Sequence, residues 1–200
     1  MRLIVGLGNP GARYREARHN VGYRVVECLA ERAGISLDET RYEGRFGRGF
    51  LAGQEVALLL PETFMNGSGE AVLQAVVGLS LEDPGRQLLV ILDDIDLPVG
   101  RLRVRGGGGD GGQRGLRDIL ERLESTGVPR LRVGVGRPPA GVDPVDWVLQ
   151  PFAPADLQPL ERAVPRAAEA VVCLLEEGLA SAMDRFNGPL PGGEEGGESG

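Results

Sequence analysis

The sequence predicts an α/β protein: a single three-layer domain whose central sheet is twisted, mixed and mostly parallel, with helices on both faces. Three observations carry this. The short continuous apolar runs Leu3–Leu7 and Leu88–Leu92 read as strands covered on both sides. Between such runs lie segments with helical spacing, as in Val21, Val25, Leu29 and Ala33. The chain has 200 residues, 42% of them hydrophobic, which suits one core of ordinary size, and no repeat or linker divides it.

The elements follow in order. Leu3–Leu7 is the first strand, and Asn20 reads as the cap of a helix that reaches about Ala33 and stops at Gly34. Arg45–Leu51 and Glu55–Leu60 read as two strands joined around Gly53, the second closed by Pro61. The loop Thr63-Phe64-Met65-Asn66 leads into a helix capped near Ser68 and reaching about Leu79. Leu88–Leu92 then delivers Asp93-Asp94-Ile95-Asp96 at its carboxyl end. In Arg101–Arg105, arginine alternates with Leu or Val, so the three arginines share one strand face. Six glycines within Gly106–Gly112 precede a helix from about Gly115 to Leu123. Leu131–Val135 is another strand, Trp147–Leu149 a short one, and Ala155 to about Arg185 is helical with a break at Gly178. The domain is expected to span residues 1–187, with Gly188–Gly200 a disordered, acidic, Gly-rich tail.

Composition narrows the function classes. No apolar run approaches the roughly 20 residues of a membrane span, and the N-terminal run is too short for a signal-peptide core. A cytoplasmic protein is expected. Cys28 and Cys173 sit in helical runs as small hydrophobes, without disulfide or metal-ligand spacing. The net charge of −7 argues against nucleic acid until it is mapped along the chain. Residues 101–137 carry nine Arg against Asp110, Asp118, Glu121 and Glu124, a local balance of +5. Residues 155–200 carry three Arg against nine acids, a balance of −6. A basic band on an acidic protein is compatible with phosphate contact.

The chemistry begins with His19, the only histidine of the chain. Imidazole is the one side chain whose ordinary ionisation lies near neutrality, so any imidazole acid–base role falls to His19. Asp93, at the carboxyl end of a central strand, stands where an α/β sheet delivers residues to a ligand crevice. A carboxylate there can fix one imidazole nitrogen and leave the other as a base. Asn9 and Asn66 follow strands and carry carboxamides able to position a carbonyl and stabilise oxyanion charge. Asp93, Asp94 and Asp96 also leave a Mg²⁺ site open on spacing alone. Gly6, Gly8 and Gly11 match a dinucleotide fingerprint, but Pro10 and the polar segment Ala12–His19 delay the helix that would hold a pyrophosphate. The glycines are better suited to letting the backbone and Asn9 approach a ligand. Gly106–Gly112 could present N–H groups to a phosphate, or form a surface loop.

Together these segments resemble bacterial peptidyl-tRNA hydrolases. The matching pieces are Val5–Gly11 with Tyr14 and Arg18-His19-Asn20, then Thr63–Gly69, Asp93–Pro98 with Gly100, the glycine run to Ile119, and Arg130–Gly136. The resemblance implies hydrolysis of the ester joining a peptide to the 3′-terminal ribose of tRNA, with no metal or organic cofactor and a monomeric enzyme. It implies His19 as the general base, Asp93 as its orienting carboxylate, and Asn9 in contact with the peptide. Tyr14, Phe64, Asn66 and the backbone of Met65 would line the site, and Arg103, Arg105 and Arg132 would meet tRNA phosphates. The family usually has His-Asn where this chain has Gln113-Arg114, and Asp110 stands where another His is common. Arg114 is carried over as a substrate contact, although a guanidinium only donates where a carboxamide also accepts. A non-catalytic RNA-binding relative would be free to lose His19 or Asp93, and both are present.

Overall fold

The computed structural model describes residues 1–188, so the expected tail lies outside the described residues beyond Gly188. The elements are β1 (Arg2–Gly6), α1 (Val21–Ala33), β2 (Glu39–Arg41), β3 (Gly44–Leu51), β4 (Gln54–Pro61), α2 (Ser68–Gly78) and α3 (Pro84–Gln87). They continue with β5 (Leu88–Asp94), β6 (Leu102–Arg105), α4 (Arg114–Arg122), β7 (Arg130–Gly134), α5 (Pro144–Leu149), α6 (Pro154–Glu177) and α7 (Leu179–Phe186). The strands form one sheet in the order β2-β3-β4-β1-β5-β7-β6. Its centre, β4-β1-β5-β7, is parallel, and the antiparallel pairings fall at the two edges.

Strand alternation divides the core into two layers. Leu3, Val5, Leu59, Val90 and Leu92 face one way, against α2 and α4. Ile4, Leu58, Leu60, Leu89 and Ile91 face the other, against α1 and the long α6. Buried on both faces, β1 and β5 read as unbroken apolar runs for this reason.

Close packing of α1 on the strand ends sets the site. A Cβ on Gly22 would lie 2.5 Å from Ile91 O and 2.6 Å from Leu7 N, and one on Gly6 would lie 2.4 Å from Gly22 O. A Cβ on Gly8 would meet the Tyr23 ring at 2.7 Å. Gly6 and Gly8 therefore make room for α1, not for a ligand as the sequence suggested. This contact brings the single turn Arg18–Asn20, which leads into α1, beside the carboxyl end of β5.

Other local expectations are corrected. Trp147–Leu149 belongs to helix α5, whose Asp143 cap and Pro144 at the first turn outweigh the short apolar run. Asn20 occupies the cap position of α1 but makes no capping bond, because its side chain is committed to Asn9. At α2 the cap position is Gly67, and the Ser68 hydroxyl donates to Met65 O. Carbonyls of the glycine run hold the arginines of β7: Gly108 and Gly109 accept from Arg130, and Asp110 O from Arg132. Cys173 is buried and Cys28 partly so, both as free thiols.

Candidate active site

The carboxyl ends of the parallel strands open onto a cavity of about 380 Å³. The site follows the general rule that open α/β sheets bind ligands beyond these ends. The turn before α1 brings His19 to its wall, with the side chain 12% exposed. Asp93, the penultimate residue of β5, is buried and accepts from His19 Nδ1 through Oδ2 at 2.8 Å. Two residues 74 apart in sequence thus form a direct pair. With Nδ1 so engaged, Nε2 is the ring nitrogen left to the cavity. The other Asp93 oxygen, Oδ1, accepts from Gln113 Nε2 at 3.1 Å.

Asn9 is fixed on three sides. Its backbone N–H donates to Asn20 Oδ1 and its carbonyl accepts from Asn20 Nδ2, both at 2.9 Å. Its own Oδ1 accepts from Met65 N at 2.8 Å. That bond fixes which end of the carboxamide is the oxygen and leaves Nδ2 as its donor, on a residue that lines the cavity. Met65 lines the cavity, while its backbone N–H is held by Asn9.

Tyr14, Phe64, Asn66 and Arg114 complete the polar and aromatic rim. Phe64 is 58% exposed, an apolar surface standing open at the mouth. Helix α5 supplies an apolar wall through Val145, Val148 and Leu149. The acids at the end of β5 and just beyond it are engaged separately: Asp93 with His19 and Gln113, Asp94 with Arg132 at 3.1 Å, Asp96 with Arg137 at 3.0 Å. Among the described residues, no group of three or more His, Cys, Asp or Glu is placed to hold a metal.

Arg132 reaches the cavity, whereas Arg103 and Arg105 lie outside it on β6. The register sets Arg103 opposite Arg132 and Arg105 opposite Arg130. Like charges placed opposite one another oppose pairing; among the described residues, Arg132 alone of these four has a carboxylate partner, Asp94. Arg130 is buried, and burial together with the nearby Arg132 pushes its pKa down. Its role is to hold the glycine run by its carbonyls.

The family model for peptidyl-tRNA hydrolase matches residues 3–193. The chain belongs to the peptidyl-tRNA hydrolase family. Peptidyl-tRNA hydrolase of Synechococcus sp. (strain JA-3-3Ab) is 52% identical over 188 residues, spanning 94% of this chain and 83% of its own. That of Chloroflexus aggregans is 46% identical over 187 residues, spanning 94% of this chain and 99% of its own. The crystal structure of peptidyl-tRNA hydrolase from Acinetobacter baumannii matches with a TM-score of 0.88 at 36% identity, covering 96% of each chain.

One buried arginine that the sequence pattern does not single out braces this site. In the sequence Arg18 stands out only as a neighbour of His19, yet it is buried and stacks on Trp147 at 3.5 Å. It donates to Pro151 O at 2.6 Å and pairs with Asp156 at 3.6 Å. Burial lowers its pKa, an effect Asp156 opposes. Through Arg18 the turn carrying His19 is tied to α5, which also lines the cavity. The Asp143-Pro144 start of α5 was legible as a helix signal; the stacking was not.

Proposed function

We propose that this chain hydrolyses the ester between a peptide and the 3′-terminal ribose of tRNA, with His19 as general base and Asp93 as its orienting carboxylate. The observation that carries the reading is the 2.8 Å pair between His19 Nδ1 and Asp93 Oδ2 at the wall of the cavity. Accepting at Nδ1–H, Asp93 selects the tautomer whose Nε2 lone pair can take a proton from water. The water oxygen bonds to the ester carbonyl carbon, and the carbonyl oxygen gains negative charge. Asn9 Nδ2, the free donor of a fixed carboxamide, stabilises that charge. The carbon–oxygen bond to the ribose then breaks, and the ribose oxygen recovers the proton from His19. The products are tRNA with a free hydroxyl and a peptide carboxylic acid.

Phe64 and the α5 wall offer apolar surface to the peptide, while Asn66, Tyr14 and Arg114 meet the polar junction with the tRNA end. Arg103, Arg105 and Arg132 take backbone phosphates, which relieves the like-charge crowding of β6 and β7. The working unit is residues 1–187, acting as a monomer in the cytoplasm without a cofactor.

The test is release of tRNA from N-acetyl-aminoacyl-tRNA by the purified protein in EDTA, beside aminoacyl-tRNA without an N-block. The blocked substrate is turned over and the unblocked one is not. His19→Ala lowers turnover by orders of magnitude; wild-type turnover in that variant overturns the mechanism.

A further inference from the structure

Asp93 can orient His19 only if Asp93 is itself held. A carboxylate bonded at one oxygen can swing about its Cβ–Cγ axis and carry its partner with it. Here the second oxygen is occupied: Gln113 Nε2 donates to Asp93 Oδ1 at 3.1 Å, in a buried setting where both residues are under 8% exposed.

The orientation of the Gln113 amide is decided by its other end. Gln113 is the N-cap of α4, and its Oε1 accepts from Leu116 N at 2.7 Å. Turning the amide over would set Nε2 against an N–H and Oε1 against a carboxylate, both repulsive. The first turn of α4 therefore points the Gln113 donor at Asp93. Helix α4 also packs on the turn Met65–Gly67, which holds Asn9. One rigid element thus supports both sides of the reacting centre.

We propose that Gln113 is a positioning residue for the hydrolysis: it fixes the Asp93 carboxylate, so that Asp93 keeps His19 in one tautomer and one orientation. This rests on the reading of His19 and Asp93 given above. An amide fits the task because it donates and accepts at once and carries no charge. A carboxylate at this position would repel Asp93, and a cation would compete with His19 for it. The other charged or titratable groups facing the same cavity are Tyr14, Asp94, Arg114 and Arg132, and Asp94 is paired with Arg132.

Two substitutions separate positioning from capping. Gln113→Glu keeps an oxygen for Leu116 N–H but faces Asp93 with a second oxygen. Gln113→Asn is a good cap one methylene too short to reach Asp93. Both should lower kcat by about 10- to 100-fold, with KM moved less than about threefold. Gln113→Asn, which adds no charge, should leave thermal melting little changed, whereas the buried carboxylate of Gln113→Glu should lower it. The single histidine supplies an independent readout, because ¹⁵N imidazole spectra report one ring alone. The wild type should show the proton on Nδ1, and both variants a mixture of tautomers. Wild-type kcat in both variants overturns the proposal, and so does a loss of kcat with an unchanged imidazole spectrum. If His19→Ala keeps full turnover, the underlying mechanism fails. If His19→Ala is inactive while the Gln113 variants match the wild type, only the role of Gln113 fails.

Discussion

Asn20 clasps the backbone of Asn9 with both ends of its carboxamide, accepting from Asn9 N and donating to Asn9 O at 2.9 Å each. Both residues are buried, so no solvent replaces these bonds. Asn20→Ala leaves a buried N–H and C=O unpaired and should cost about 2–4 kcal/mol in denaturant unfolding. Turnover should fall with it, because Asn9 no longer holds its donor toward the cavity. An Asn20→Ala protein with wild-type stability and rate would show that Asn9 is fixed by other contacts.

Replacing Asp93 by asparagine changes which imidazole nitrogen carries the proton. The new amide can donate to Nδ1, which puts the hydrogen on Nε2 and removes the proposed base. We expect Asp93→Asn to lower kcat by about 100-fold or more while tRNA binding persists. Single-turnover hydrolysis alongside a tRNA-binding titration separates the two effects.

The tie between Arg18 and Trp147 predicts a different signature. Trp147 stacks on Arg18 and donates from its indole N–H to Gly136 O at 2.8 Å. Trp147→Ala should destabilise the fold by about 2–3 kcal/mol and raise KM severalfold as α5, the apolar wall, loosens. Thermal melts and steady-state kinetics on one preparation provide the check.

Tyr23 links stability to alkaline pH. Its buried hydroxyl donates to Pro61 O, and burial, helped by Glu62, holds its pKa well above the ordinary tyrosine range. The folded protein keeps a proton that the unfolded chain loses from about pH 10. Stability from this source is therefore full below about pH 10 and declines above it, by at most about 1.4 kcal/mol per pH unit. Tyr23→Phe should remove that component. Denaturant midpoints from pH 9 to 11 should diverge between the two proteins on this account; parallel curves would refute it.

Arg103 and Arg105 should act through salt. With both replaced by alanine, the slope of log binding constant against log salt concentration should shrink by about 1.5. Catalysis on a minimal N-blocked substrate should change little, because neither residue lines the cavity.

Much of this was legible because it is local. The apolar runs of β1 and β5 announced buried strands, and strict alternation in Arg101–Arg105 placed its arginines on one face. Spacing could not show which way a polar side chain turns. Asn20 looked like a cap and became a clasp; Gly6 and Gly8 looked like ligand glycines and became seats for α1. Trp147 looked like part of a strand because a short apolar run has no period to settle the matter.

The sequence by itself determined the fold class, the ordered motifs and the one imidazole available for acid–base work. The tertiary structure decided how that imidazole is held. His19 and Asp93 meet because glycines at positions 6 and 22 let α1 lie against the ends of β1 and β5. Gln113 reaches Asp93 because capping α4 leaves its amide only one direction to point. Such contacts depend on close approach between segments far apart in the chain, and no local pattern of residues records that distance.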